Sequence, residues 1–150
     1  MNKTWTYVRA IPTDETIQDI AKFCKRNNIV ASDFYDDPHC TIIYSKKIIP
    51  VETIILPPYN VPIIGKSAQL YTFDTKDDGL TLVIKFASNL LSDINNKIKS
   101  EYDLESIYNY TPHITLQKNM NAVVENKKLH LKLQFDRIIM DNEKGLNTSR

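Results

Sequence analysis

The chain has 150 residues, of which 42% are hydrophobic and 25% are charged, and its formal net charge is +1. This length and composition are typical of one globular domain with its own core, so we expect a single domain over residues 1–150. A net charge near zero argues against binding of long nucleic acid, which usually needs a basic face that releases counterions, and it leaves room for a small anionic ligand.

The N-terminal residues and the cysteines indicate the compartment. The chain begins with polar residues and has no apolar run long enough to span a bilayer, so neither a signal peptide nor membrane binding is expected. Cys24 and Cys40 are therefore expected to be free thiols in a reducing cytoplasm. The three glycines are scattered, so side chains or strand ends, and not a glycine-rich loop, must hold any phosphate.

The first predicted elements are a strand and a helix. Residues 4–11 alternate in polarity, and the side chains expected on one face are those of Trp5, Tyr7 and Arg9. Pro12 ends this strand. Thr13 is the expected N-cap of the helix, which has an acidic first turn, apolar residues at helical spacing and a basic end over residues 25–27.

The later elements are predicted from the same patterns. They are, in chain order, a polar connection over 31–38, a strand over 39–44, a proline-marked excursion over 45–62, hairpin strands over 66–75 and 80–86, a helix over 88–102, and strands over 113–116, 129–135 and 137–140. The hairpin turn is Asp77-Asp78-Gly79. Alternating strands with segregated helices indicate an α+β fold.

Two of these strands carry the same motif. Residues 38–42 read Pro-His-Cys-Thr-Ile and residues 112–116 read Pro-His-Ile-Thr-Leu. In a strand, side chains two positions apart share a face, so each motif presents one imidazole and one hydroxyl to the same side. The candidate catalytic residues are therefore His39, Thr41, His113 and Thr115.

The paired motifs can supply acid–base chemistry. Histidine has an unperturbed pKa of about 6.5, so one imidazole can take a proton while the other gives one. A threonine hydroxyl beside each can donate to a phosphate oxygen on which charge accumulates. The histidine of a single motif of this kind more often has a structural role than a catalytic one. A metal site needs three or four converging ligands, and only His130, expected to be exposed, and a few acids remain, so we expect no metal and no other cofactor.

The motifs resemble those of the 2H phosphoesterases. Residues 110–116, residues 39–50 with Tyr44-Ser45, and the Tyr7-Val8 strand are more narrowly similar to the phage anti-CBASS nucleases. The resemblance implies two pseudo-symmetric antiparallel-sheet lobes with flanking helices and a central cleft. The repeated order of helix, connection and motif strand agrees with an internal duplication of this kind.

The resemblance also implies an activity. Anti-CBASS nucleases hydrolyse 3′–5′ bonds of cyclic oligonucleotide second messengers, such as 3′,3′-cGAMP, and so evade bacterial CBASS defence. The expected partners are cyclic di- and trinucleotides, and the expected location is the cytoplasm of the infected bacterial host. The adjacent 2′-hydroxyl is the expected nucleophile, which gives a 2′,3′-cyclic phosphate. Chelators are expected to leave this activity intact.

Four further residues are candidates for substrate binding. The resemblance places Tyr7 beside the site, aligns Phe73 with an aromatic residue that holds a base, and matches Glu143 to an acidic ligand contact. Tyr110 precedes the second motif and can bind ligand or pack. Residues 144–150 lack the tryptophan that relatives carry in a closing tail. Two alternative functions are a 2H phosphodiesterase for RNA ends or 2′–5′ oligonucleotides and a non-catalytic protein that sequesters nucleotides.

Overall fold

The computed structural model describes residues 5–104, 109–142 and 147–149. Its elements are β1 Thr6–Pro12, α1 Asp14–Arg26, α2 Ser32–Asp36, β2 Cys40–Ser45, a 3-10 turn Val51–Thr53, β3 Ile63–Thr75, β4 Gly79–Ala87, α3 Asn89–Glu101, β5 His113–Met120, β6 Lys127–Lys128, β7 Leu133–Asn142 and β8 Asn147–Ser149. The strand pairings in this part of the chain are antiparallel. The predicted α+β class is therefore confirmed.

The strands form one sheet in the order β6-β3-β4-β5-β2-β1-β7-β8. The early residues of β3 also pair with β7, through Ile63↔Phe135, whereas its later residues pair with β4. These extra pairs close six of the strands into a ring. The β2–β5 junction is the narrowest, with the single pair Cys40↔Ile114.

Side-chain alternation assigns the two faces of the sheet. On β1 the residues Thr6, Val8 and Ala10 are buried, whereas Tyr7 and Arg9 lie on the partly exposed face, as predicted. Helices α1, α2 and α3 contact β7, β5 and β2, respectively. None of the helices in the described ranges is long and apolar enough to cross a membrane.

The two long helices begin where their capping residues predict. The Thr13 side chain accepts a hydrogen bond from the Thr16 backbone N–H, and the Ser88 side chain accepts one from that of Leu91. Each bond satisfies a donor that the first turn leaves free. On α3 the buried residues are Leu91, Ile94, Asn95 and Ile98. The sequence predicted this helix over residues 88–102, but it did not predict the burial of Asn95.

The hairpin of β3 and β4 also follows the sequence. Gly79 has a φ of +64°, in the left-handed region where a residue with a Cβ is strained. Thr75 Oγ1 accepts a hydrogen bond from the Asp78 N–H and donates to the Gly79 carbonyl. The chain reverses over residues 76–78, one position before the predicted turn Asp77-Asp78-Gly79, and Gly79 is the first residue of β4.

Two predicted segments were wrong. Residues 31–38 contain helix α2 as well as a polar connection, because the fully buried ring of Phe34 anchors a helical turn there. Residues 129–135 and 137–140 are not two strands, since residues 129–132 lie outside the sheet and β7 runs unbroken through Asp136. The pairing with β1 instead skips Asp136 as a register shift between Ile11 and Pro12.

Candidate active site

The two motif strands lie side by side. At their single pair, Cys40 and Ile114 are both 0% exposed and face the core. Alternation turns the neighbouring motif residues, which are partly exposed, to the opposite face. Extended by one residue each way, the antiparallel register sets Thr41 against His113 and His39 against Thr115. Each motif's histidine is thus opposite the other motif's threonine.

Both imidazoles are held in the same way. His39 Nδ1 lies 2.7 Å from the Asp37 carbonyl oxygen, and His113 Nδ1 lies 2.8 Å from that of Thr111. A carbonyl oxygen only accepts, so in each ring Nδ1–H donates and Nε2 carries the basic lone pair of the neutral form.

The proline of each motif explains this shared geometry. Proline disfavours the helical region for the residue that precedes it. Asp37, which precedes Pro38, accordingly has an extended φ of −154° and ψ of 83°. The carbonyl of the residue before proline then lies two positions from the histidine, within reach of Nδ1. The same Pro-His order therefore orients both imidazoles.

Tyr7 contacts the first motif through its hydroxyl group. The Tyr7 hydroxyl oxygen lies 2.7 Å from His39 Nε2 and 3.0 Å from Thr41 Oγ1. With neutral His39, the phenol donates to Nε2 and accepts from the threonine hydroxyl. Burial raises the pKa of Tyr7, so the phenol keeps its proton. The structure thus places this predicted ligand-binding residue against a candidate catalytic nitrogen.

The ring of His113 is partly buried and contacts an aromatic side chain. Phe73 packs edge-on against its ring, with centroids 5.1 Å apart, which places this predicted base-binding residue at the second motif. Burial lowers the pKa of His113, the hydrogen bond to the Thr111 carbonyl raises it, and the charge of His39 lowers it. The net direction is downward, so His113 is neutral at pH 7.

Tyr110 has a different position from the other predicted ligand contacts. Its hydroxyl donates to the Thr41 carbonyl oxygen at 2.8 Å and lies 3.7 Å from Cys40 Sγ. Burial raises the pKa of the Cys40 thiol to about 12, so Cys40 stays neutral. Tyr110 therefore connects the segment before β5 to β2 by a hydrogen bond. This bond adds to the single residue pair between strands β2 and β5.

Two cations on the same face were not singled out from the sequence. Arg9 pairs in register with Thr41, stacks on the Tyr7 ring at 4.8 Å and forms an ion pair with Asp141 at 3.1 Å. Lys85 pairs in register with His113, and its Nζ lies 3.8 Å from the Tyr71 ring centroid. The alternation of β1 places Arg9 on the face of Tyr7, whereas no sequence signal aligned Lys85 with a motif.

A large cleft adjoins the motif strands. Its volume is about 1270 Å³, and its walls include Thr41, His113, Phe73, Tyr110 and Asn95. Sites for drug-sized ligands are usually about 300–1,000 Å³, so this cleft can take an oligonucleotide. Glu143, the fourth predicted ligand contact, lies outside the described residues. His130 is exposed, and the part of the chain that the structure describes contains no group of three metal-ligating side chains.

Fold and site together define a class of small α+β protein in which two His-x-Thr strands meet in one antiparallel sheet beside a large cleft. The chain belongs to the anti-CBASS protein Acb1 family, which matches residues 4–146. Membership supports a role in evading CBASS defence, and it implies interaction with the cyclic oligonucleotide signals of CBASS inside the infected host cell. No curated protein matches the chain significantly.

Proposed function

We propose that this chain is a metal-independent phosphodiesterase that hydrolyses 3′–5′ bonds of cyclic oligonucleotides such as 3′,3′-cGAMP. The observation that carries this function is the antiparallel pairing of the two motif strands at Cys40↔Ile114, a register in which each imidazole comes opposite the threonine of the other strand. Two proton-transfer groups and two hydroxyl donors around one phosphate are sufficient for in-line transfer. The family's anti-CBASS role supplies the substrate class.

The reaction begins with the ribose 2′-hydroxyl beside the scissile phosphate. One histidine takes the proton from O2′ as the O2′–P bond forms, and the other gives a proton to O5′ as the P–O5′ bond breaks. The hydroxyls of Thr41 and Thr115 donate to the non-bridging oxygens. The products of this step are a 2′,3′-cyclic phosphate and a free 5′-hydroxyl. Water then attacks the phosphorus atom: the histidine that gave a proton to O5′ takes one from the water, the other histidine returns its proton to O2′ as the P–O2′ bond breaks, and a 3′-phosphate remains.

We also propose that the chain has the two-lobed 2H phosphoesterase architecture in a single domain. Along the sheet order β4-β5-β2-β1, each motif strand pairs with the strand that precedes its helix. The units β1-α1-β2 and β4-α3-β5 are thus arranged symmetrically about the Cys40↔Ile114 pair. The histidine of each motif makes the same Nδ1 hydrogen bond to the carbonyl two residues before it, which supports the same approximate twofold relation.

A substrate panel tests this function. The protein is incubated with 3′,3′-cGAMP, a short linear RNA and a 2′–5′ oligoadenylate, and products are separated by chromatography. We expect cleavage of the cyclic compound alone. Cleavage of the linear RNA or of the 2′–5′ compound instead identifies an RNA-end or 2′–5′ phosphodiesterase. Recovery of intact cyclic nucleotide bound to the protein identifies a sequestering function.

The Tyr7 hydroxyl provides a test within the site. In the Tyr7→Phe variant, we expect kcat to fall by about 3- to 10-fold, because one hydrogen bond to a proton-transfer group contributes about 0.5–1.5 kcal/mol. We expect KM to change little, since the ring stays in place. Tyr35→Phe is the matched control, because Tyr35 is exposed and contacts Phe34. Unchanged kcat in Tyr7→Phe contradicts a role for this hydroxyl.

A further inference from the structure

Asn95 is a polar residue on the buried face of α3. It is 4% exposed and lies among Leu91, Ile94 and Ile98. Its Nδ2 donates a hydrogen bond to the Ile42 carbonyl oxygen at 2.8 Å. Because that carbonyl can only accept, the bond fixes which end of the amide is nitrogen and which is oxygen.

The nitrogen end of the Asn95 amide satisfies a backbone carbonyl at Ile42. The pairing of β1 with β2 skips Ile42, since Val8 pairs with Ile43 and Arg9 pairs with Thr41. Ile42 is therefore the extra residue of a β-bulge, whose backbone groups lack ladder partners. The Asn95 N–H satisfies the Ile42 carbonyl, so the nitrogen end of the amide has a structural role.

The oxygen end of the amide has no such role. Asn95 Oδ1 is buried and is the one side-chain polar atom that lacks a hydrogen-bond partner among the described, buried residues. A buried acceptor without a partner costs about 1–3 kcal/mol. Asn95 also lines the large cleft that Thr41 and His113 line. An unsatisfied acceptor on a residue that lines a cleft can receive a ligand's N–H group when ligand binding uncovers the acceptor.

We propose that Asn95 Oδ1 accepts a hydrogen bond from the exocyclic amino group of a base in the bound cyclic oligonucleotide. Asn95 is then a residue that determines base specificity, and this role rests on the function proposed above. Adenine, guanine and cytosine carry such an amino group, whereas purine, hypoxanthine and uracil do not. The site therefore selects amino-bearing bases at this end of the cleft, because a base without the donor leaves Oδ1 unpaired.

The test pairs a change in the protein with a change in the ligand. Affinities are measured by calorimetry in a His113→Ala background, so that ligand is not consumed. The compounds are 3′,3′-cyclic di-AMP and its purine analogue, and 3′,3′-cyclic di-GMP and its hypoxanthine analogue. With Asn95 present, we expect removal of the amino group to weaken binding by about 10- to 100-fold in at least one pair. In Asn95→Leu, we expect both members of that pair to bind equally.

Asn95→Asp is the matched control. Burial raises the pKa of a carboxyl, and in its neutral form the substituted side chain offers an O–H to Ile42 and a C=O to the ligand, so affinities for this variant are compared from pH 7 down to about pH 5. We expect this variant to keep the preference for the amino-bearing compound. Melting curves show whether each variant is folded, and a comparison within one folded variant is unaffected by its overall stability.

The outcomes separate the two proposals. If no cyclic nucleotide binds to the His113→Ala or the His39→Ala protein, the proposed substrate class is wrong, and the role of Asn95 falls with it. If cyclic nucleotides bind but the amino group has the same effect with Asn95 and with Asn95→Leu, or no effect with Asn95, the role of Asn95 alone is wrong. Loss of the amino preference only in Asn95→Leu supports it.

Discussion

Replacing His39 or His113 by alanine is expected to lower kcat for cyclic oligonucleotide hydrolysis by about 10²- to 10⁴-fold in each variant, because the proposed mechanism uses each imidazole as one of its two proton-transfer groups. Substrate affinity is expected to change far less, since base contacts and the remaining cleft are intact. Rates are measured by chromatography under single-turnover conditions, so that slow product release does not mask the chemical step.

His130 provides the control for the two histidine variants. His130 is exposed and outside the motif strands, so His130→Ala is expected to keep full activity and to exclude a general effect of losing an imidazole. The double variant of His39 and His113 is expected to lose less than the product of the two single losses, because the residues act as a unit. Full turnover by the double variant contradicts the proposed mechanism.

The sequence was sufficient where local rules decide the structure. Thr13 and Ser88 cap helices because their side chains satisfy nearby N–H groups, and Gly79 fits a left-handed turn position. The same is true of the motifs, since alternation along a strand places His and Thr on one face whatever surrounds them. Each of these features depends on residues within a few positions of one another.

Features that depend on distant contacts were missed. Helix α2 exists because Phe34 finds a buried site, and the five residues of that helix have no periodicity long enough to detect. The contact of the Tyr7 hydroxyl with His39 joins residues 32 positions apart, and that of Asn95 with Ile42 joins residues 53 apart. Neither contact follows from propensity or spacing, because both depend on how the strands and helices pack.

The role of Tyr110 also depends on a distant contact that the sequence could not predict. The sequence left open whether it binds ligand or packs, since an aromatic residue before a motif can do either. Its hydroxyl, at 2.8 Å from the Thr41 carbonyl oxygen, holds two strands that share one ladder pair. This bond supports a packing role, in which Tyr110 holds the segment before β5 against β2.

Replacing the ribose 2′-hydroxyls of 3′,3′-cyclic GMP–AMP by hydrogen is expected to slow cleavage by at least about 10³-fold, because well-placed intramolecular nucleophiles reach effective concentrations of about 10⁵ M or more. The 2′-deoxy compound should still occupy the cleft, since it keeps both bases and both phosphates. We therefore expect it to inhibit cleavage of the ribose compound with an inhibition constant near the KM of that substrate.

The products identify the nucleophile independently of the rate. With the ribose substrate, quenched early, chromatography coupled to mass spectrometry is expected to detect a ring-opened species with a terminal 2′,3′-cyclic phosphate, which has the mass of the substrate but a different retention time and is one water lighter than the linear 3′-phosphate. If the 2′-deoxy compound is instead cut at the normal rate, water attacks the phosphorus directly. The histidine that takes the proton then activates water in place of O2′, and no cyclic phosphate accumulates. The two pathways thus share the acid, the base and the threonine donors, and differ in the oxygen that lies opposite O5′.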